Sequence, residues 1–323
     1  MAVAVVGGGV IGLAAARALA RRGTDVTVYE QFEVGNDHGS SHGSSRIFRV
    51  SYPEARWARL VLEALPLWRE LEEESGEELL QPGGTLDLRP PRENVEALAE
   101  AGARHEVLEA AEIERRWPIR ADGERGLYQP DGAVIRADRA VAAFRAGAER
   151  AGAQIVEGRR IESPAELDAS AVVIAAGAWA PRLAELDVEP TAETIGYAAF
   201  LEAGYPAVMD WVASGDGRAY YGLAAPGIGV KGGLHKSGRA ADPDRRAAPD
   251  PALLEQIGDW LEHRFVGAAG PVAGDTCLYT NTEDENFVCE ARGAMVVGSA
   301  CSGHGFKFAP LIGERLARLV EGL

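Results

Sequence analysis

Residues Met1 to Gly12 read MAVAVVGGGVIG, a run of small and branched apolar residues leading straight into Gly7, Gly8, Gly9 and Gly12. The apolar run predicts a strand, the mostly apolar Leu13 to Leu19 a helix, and Asp25 to Tyr29 a second strand that ends at Glu30. Strand, tight turn, helix, second strand and acid together make the unit that binds a dinucleotide. Gly7 allows the turn, Gly9 lets the backbone approach a pyrophosphate with no side chain in the way, and Gly12 lets the helix lie close to the strand. The backbone at Val10 and Ile11 then faces the phosphates with unpaired N–H groups and a partial positive charge. Glu30 is placed to accept hydrogen bonds from a ribose diol, and its charge disfavours a 2'-phosphate. FAD and NAD both ride on this unit, and these residues do not separate them.

With 323 residues and 46% hydrophobic content, the chain can bury a large core and divides into two lobes. A net charge of -16 argues against a nucleic-acid or anionic-membrane surface, either of which needs a basic face. No apolar run approaches the ~20 residues that span a bilayer, and the chain opens on a strand rather than a basic leader, so a cytoplasmic address is expected. Cys277, Cys289 and Cys301 are too few for a disulfide framework and lack metal-binding spacing, so no metal is expected.

Helices are predicted at Ala58 to Glu74, kinked at Pro66, and at Asn94 to Gly102, Ala110 to Trp117, Ala137 to Ala151, Pro251 to Phe265 and Pro310 to Leu323. Short strands are predicted at Thr85 to Leu88, Gln154 to Glu157, Ala171 to Ile174 and Ala294 to Gly298, and Pro130-Asp131-Gly132 turns between two extended pieces. From Tyr197 to Val230 the pattern is extended and aromatic, which suits an antiparallel sheet. The fold class that follows is α/β (α+β overall), a Rossmann-like nucleotide domain interleaved with an antiparallel-sheet substrate domain. Residues 1–80, 136–190 and 290–323 are assigned to the first, and 81–135 and 191–289 to the second.

Two further stretches invite chemistry. His38 to Tyr52, HGSSHGSSRIFRVSY, is poor core and suits gripping an anion; if it is helical, Arg46 and Arg49 share a face. A solvated surface loop is the plain alternative. Cys301 to Phe308, CSGHGFKF, follows a strand at the sheet edge where such folds bind ligands, and sets Lys307 between two aromatic residues, a cation in need of an anion. A lysine reaching out to solvent is the alternative there.

The ordered strings GGGVIG, HGSSRIFRVSY, EIERRWP, YQPDGAVI, AAGAW, VKGGLH, CLYT and SGHGFKF run over essentially the whole chain. In them the chain resembles the monomeric sarcosine oxidase family, within the D-amino-acid-oxidase-like flavoenzymes. The resemblance implies FAD as cofactor, a monomer, a small amino acid substrate and oxygen as the electron acceptor. It also implies oxidation of sarcosine or another secondary or N-methyl amino acid to an imine, with hydrogen peroxide as the second product. A flavin dehydrogenase, or an oxidase of a glycine, proline or pipecolate type of substrate, is the alternative.

Residue by residue, the resemblance implies that Cys277 forms a thioether to the flavin 8-methyl carbon, and that Arg49 and Lys307 clamp the substrate carboxylate. Arg46 matches the arginine beside the flavin ring, and Lys231 the lysine that promotes reaction with oxygen by offering a fixed positive charge. His235 matches the histidine near the substrate amine, and Tyr221 and Tyr279 match tyrosines of the pocket wall. His42, Ser45, Gly177, Trp179, Gly303, Gly305 and Phe306 complete the cofactor contacts. Cys289 and Cys301 read as small buried hydrophobes. Serines at 44 and 45, and Cys301 where an aromatic residue is common in the family, imply a roomier pocket than sarcosine needs.

Overall fold

The computed structural model describes residues 1–211, 218–299 and 302–323; Cys301, at the start of CSGHGFKF, and positions 212–217 of the extended aromatic segment lie outside the described residues. Ala2–Val6 forms the centre of a six-stranded sheet. Its neighbours on either side, Asp25–Tyr29 and Ala171–Ile174, run parallel to it. Gln154–Val156 and Met295–Ser299 extend the parallel set, and Val288–Arg292 closes one edge antiparallel. Val3, Val5, Val26, Val28 and Val173 are buried on one face and Ala4, Val6 and Ile174 on the other, as expected for strands covered on both faces. Because Asp25–Tyr29 and Gln154–Val156 lie on one side of the first strand and Ala171–Ile174 returns on the other, its carboxyl end is a topological switch point, where a crevice opens.

Three helices pack on this sheet: Val10–Ala20 lies against Ala137–Arg150 and Ala309–Glu321. The long helix Ala55–Ser75 runs through Pro66 as one element and stops at Gly76, in a left-handed cap with φ 72. Its buried stripe of Ala58, Val61, Ala64, Trp68 and Leu71 recurs at helical spacing. From that stripe the Trp68 indole donates to the carbonyl of Lys307 at 2.7 Å, so helix packing sets the backbone of a residue singled out in the sequence.

A nine-stranded sheet carries most of the rest. The long strand Glu189–Ala199 pairs antiparallel with both Gly229–Leu234 and Ala269–Asn281. Ala219–Ala225, Ala207–Trp211, Thr85–Leu88, Gly126–Gln129 and Glu106–Leu108 follow in order, antiparallel except where Ala207–Trp211 meets Thr85–Leu88. The two extended pieces around Pro130-Asp131-Gly132 part company: Gly126–Gln129 joins this sheet, while Ala133–Arg136 pairs with Ser45–Phe48 and Leu80–Pro82 in a small sheet of three strands. That pairing corrects the helical reading of Arg46 and Arg49, because Ser45–Phe48 is a strand and three residues along a strand reverses the face. No helix among the described residues is long and apolar enough to cross a membrane.

The large sheet is pinned to its helix Pro251–Arg264 by a buried ion pair. Asp210, fully buried, accepts from Arg264 at 2.7 Å and from the Trp260 indole at 2.9 Å, and Arg89 closes on its other oxygen. Asp210→Ala removes the buried one of Arg264's two carboxylates and leaves only the exposed Asp122, at 3.0 Å, so a loss of about 3 kcal/mol is expected, read as a lower midpoint in urea unfolding at unchanged slope.

Candidate active site

A long cleft opens along the carboxyl ends of the parallel strands and runs beneath the large sheet. At its first end the backbone of Gly7 to Ile11 forms the floor. A Cβ on Gly12 would stand 1.9 Å from the Gly7 carbonyl oxygen, so the helix is seated against the turn only because that atom is missing. Gly12 therefore lies under the cleft rather than in its wall. The Ser41 hydroxyl accepts the Val10 N–H at 3.0 Å, a contact from the serine-rich loop that sequence reasoning did not anticipate. Glu30 is buried at the cleft wall, with its two oxygens accepting from Gly8 at 2.7 Å and Phe32 at 2.9 Å. Gly177 and Trp179 line the opposite side, and the Trp179 indole donates to Asp244 at 2.7 Å. That bond and the Arg182 and Arg160 guanidinium groups hold the Asp244 carboxyl down at about 2.

In the middle of the cleft, Arg46 donates to the carbonyls of Ser40 at 2.8 Å and His42 at 2.7 Å and lies 5.6 Å from the centre of the Phe306 ring. These bonds spread the arginine flat along the wall. His42 itself does not line the cleft: its ring nitrogens face the Gly39 carbonyl at 2.7 Å and the Asp275 carboxylate at 3.3 Å. It braces the loop that Arg46 grips, instead of reaching into the cleft. Cys277, on the strand Ala269–Asn281, lines the cleft, 7% exposed, with its sulfur 3.9 Å from an Arg46 nitrogen. Cys289 differs, since burial pushes its thiol up to about 11, the mark of an inert side chain.

Lys231 rises from the strand Gly229–Leu234 into the same region, 3% exposed, and donates to the Ser45 carbonyl at 3.2 Å. Burial, helped by the Arg46 charge, brings it down to about 7. Its positive charge is thus conditional on pH.

At the far end Arg49, Lys307, His235, Tyr221 and Tyr279 all reach the cleft. Arg49 is sandwiched, 4.8 Å from the centre of the Tyr52 ring and 5.4 Å from that of Trp211. Lys307 is buried and donates to the Tyr52 hydroxyl at 2.8 Å and the His304 carbonyl at 3.0 Å. Burial and then the Arg49 charge hold it well below the usual lysine range. His235 stands 3.4 Å from the Tyr279 hydroxyl, and burial together with Lys236, Arg49 and Lys307 pushes it down to about 3, so it is neutral at any working pH. Tyr221 is raised above the ordinary phenol value by burial and stays protonated. Gly303, at φ 74, brings the chain past this group: a Cβ there would stand 2.2 Å from the Tyr279 ring and 2.8 Å from His235. Gly305 and Phe306 follow it along the cleft wall.

The expected cofactor can be weighed against these atoms. Among the described residues, the Ser45 hydroxyl and one Arg49 nitrogen are buried with no hydrogen-bond partner, the first in the middle of the cleft and the second at its far end. The Gly9 position is open enough that an added Cβ would meet only the Ser41 hydroxyl, at 3.3 Å. A pyrophosphate-sized approach at the glycines, an acid for a ribose and an orphaned donor beyond suit FAD. Sequence reasoning missed Tyr52, His304 and Asp87, which support the far end. The first two stand inside the quoted strings, where the aromatic and imidazole groups beside Arg49 and Lys307 were signals; Asp87 gave none.

Comparison with known proteins supplies the family and the fold. Monomeric sarcosine oxidase of Arthrobacter sp. (strain TE1826) is 30% identical, with 98% of this chain and 91% of that protein covered. N-methyl-L-tryptophan oxidase of Salmonella dublin is also 30% identical, covering 98% and 94%. Among solved structures, NikD, described as an unusual amino acid oxidase essential for nikkomycin biosynthesis, superposes with a TM-score of 0.87 at 27% identity, covering 98% of this chain and 93% of that one. Residues 2–319 match the family described as FAD dependent oxidoreductase, so nearly the whole chain, from the first strand to the closing helix, belongs to that family.

Proposed function

We propose that this protein is an FAD-dependent oxidase of sarcosine or a related secondary or N-methyl amino acid. The observation that carries the reading is the convergence of the partly buried Arg49 and the buried Lys307 on one end of a cleft whose other end suits a dinucleotide. One carboxylate satisfies both. FAD, when bound, takes two electrons and a proton from a carbon–nitrogen donor and passes the electrons to oxygen, giving hydrogen peroxide. The chain's part is to orient and to exclude water. Arg49 and Lys307 anchor the carboxylate, and neutral His235, beside Tyr279, offers the amine a hydrogen-bond partner that does not compete for its proton. Lys231 offers a positive charge where oxygen gains negative charge. The fold supports the interleaved domains drawn from the sequence, since most strands of the parallel sheet fall within 1–80, 136–190 and 290–323. A monomer in the cytoplasm completes the reading.

Titration of the purified protein with sarcosine in the absence of oxygen tests it. The flavin absorbance band should bleach and return on admitting air. Bleaching that air does not reverse means a dehydrogenase with another acceptor; a band that persists through sarcosine and larger N-methyl and cyclic amino acids overturns the amine-oxidising reading.

The cysteine setting supports a covalent thioether from Cys277 to the flavin. Acid precipitation of the native protein should then leave a yellow pellet, whereas Cys277→Ser should release its flavin to the supernatant. Free flavin from fully loaded native protein rules the linkage out.

A further inference from the structure

We infer that a carboxylate entering the far end of the cleft brings one proton with it from solvent, and that the proton settles on Lys307. The inference rests on the proposed reading of that end as a carboxylate site. It starts from the unequal state of the two cations before any ligand arrives. Arg49 already has a fixed counter-charge: the Asp87 carboxylate, fully buried, stands 3.7 Å from one guanidinium nitrogen. Asp87 is held there by the Ser51 hydroxyl at 2.8 Å, the Gln129 amide at 3.3 Å and the Trp211 indole at 3.3 Å. Asp87 is thus the counter-charge of Arg49, although at 3.7 Å the two share no hydrogen bond.

Lys307 has no such partner. Among the described residues no carboxylate pairs with it, and its two hydrogen bonds go to neutral oxygens, the Tyr52 hydroxyl and the His304 carbonyl. The histidine cannot lend it a proton. The Nε2 of His304 donates to the Glu285 carbonyl at 3.0 Å, which leaves Nδ1, 3.1 Å from the Tyr52 oxygen, to accept the Tyr52 hydrogen. Tyr52 then accepts from Lys307. A neutral amine uses both its hydrogens on these oxygens, and its lone pair is left for the cleft.

The groups that face Lys307 are Tyr52 and His304, Arg49 from the continuation of the strand Ser45–Phe48, and His235 across the cleft. Burial and Arg49 oppose a charge on Lys307, and the carboxylate of Glu285, whose backbone carbonyl meets His304, is engaged with Lys236. A burial this complete makes an unpaired ammonium costly, and a ligand carboxylate removes the cost. The step moves no electrons: amine, solvent proton and carboxylate become an ammonium–carboxylate pair.

Methoxyacetate, a carboxylate with no amine, is the probe. It is titrated into the holoenzyme from about pH 6 to about pH 10, a range in which arginine keeps its charge and a simple carboxylic acid stays ionised. Flavin absorbance gives Kd, and calorimetry in two buffers of different ionisation heat gives the protons taken up. Proton uptake should climb toward one per ligand on the alkaline side, where Kd rises tenfold per pH unit. His235 and His304 cannot produce it, both being held at about 3. Lys231, at about 7, is the other candidate in the cleft; uptake should persist in Lys231→Met and vanish in Lys307→Met. Binding with a flat Kd and no uptake overturns the inference and leaves the carboxylate site standing, as does uptake that survives in Lys307→Met. No binding at any pH overturns the carboxylate reading itself, and the inference with it.

Discussion

Lys231→Met slows the reoxidation of substrate-bleached enzyme by air about 100- to 1000-fold, the range for removing one preorganised charge or donor from a site of developing negative charge. Anaerobic bleaching by substrate changes far less, because Lys231 reaches the cleft from the Gly229–Leu234 strand beside Ser45 and Arg46, away from the carboxylate end. Stopped-flow measurement of the two half-reactions separates them; equal slowing of both would sink the assignment. The pH dependence has a definite sign. Native Lys231 is charged below about 7 and loses that charge as pH rises through it, so the gap between native and variant oxygen rates should narrow in alkaline buffer. The same depression means that the unfolded chain binds this proton more tightly than the folded one. Below about 7 the lysine therefore lowers stability, a penalty that fades as pH rises toward the unfolded value of 10.5, and the variant should unfold at no lower denaturant concentration than native at neutral pH. A loss of oxygen reactivity without a loss of stability excludes misfolding as the cause.

Arg49→Gln lowers kcat/KM for an amino acid substrate by about 100- to 1000-fold, in keeping with the ~2–5 kcal/mol that follows truncation of one partner of a buried, hydrogen-bonded charge pair. Two losses combine. The guanidinium fork at the far end of the cleft is the group proposed to take the substrate carboxylate, and glutamine offers neither that fork nor the stacking between Tyr52 and Trp211. Asp87 is also left buried without its neighbouring cation, so the variant should unfold at lower urea concentration. The functional part is isolated by comparing sarcosine with an N-methyl amine that lacks a carboxylate: the deficit should appear for the first and nearly disappear for the second. A deficit of equal size for both would place Arg49 in the framework of the cleft rather than in substrate recognition.

Local sequence was a good guide where a single element carries the meaning. The glycine turn, its flanking strands and the Glu30 terminus are consecutive, and their spacing alone dictates a phosphate-binding crevice at a sheet edge. The helix stripe of Ala58 to Leu71 was likewise readable from its period, and the order of short strings from GGGVIG to SGHGFKF pointed to the family over the whole chain. Reading failed where partners are far apart in the chain. The segment holding Arg46 was open to a helical reading until the distant Ala133–Arg136 gave it a strand to pair with. His42 sits among the residues of the cleft in sequence, yet Asp275, from the far side of the chain, draws it away. Lys231 is charged or neutral according to burial by strands and an arginine that no local window contains. Asp87 lies in an unremarkable TLDL strand and becomes the counter-charge of Arg49 only through packing.

The sequence by itself thus determined the fold class, the nucleotide unit and the family, because those rest on spacing along the chain. Only the tertiary structure decided which cations are neutralised, which are held below their ordinary ionisation and which expected contacts face the cleft. Those properties depend on desolvation and on distances between segments hundreds of residues apart, and neither is written in the order of neighbours along the chain.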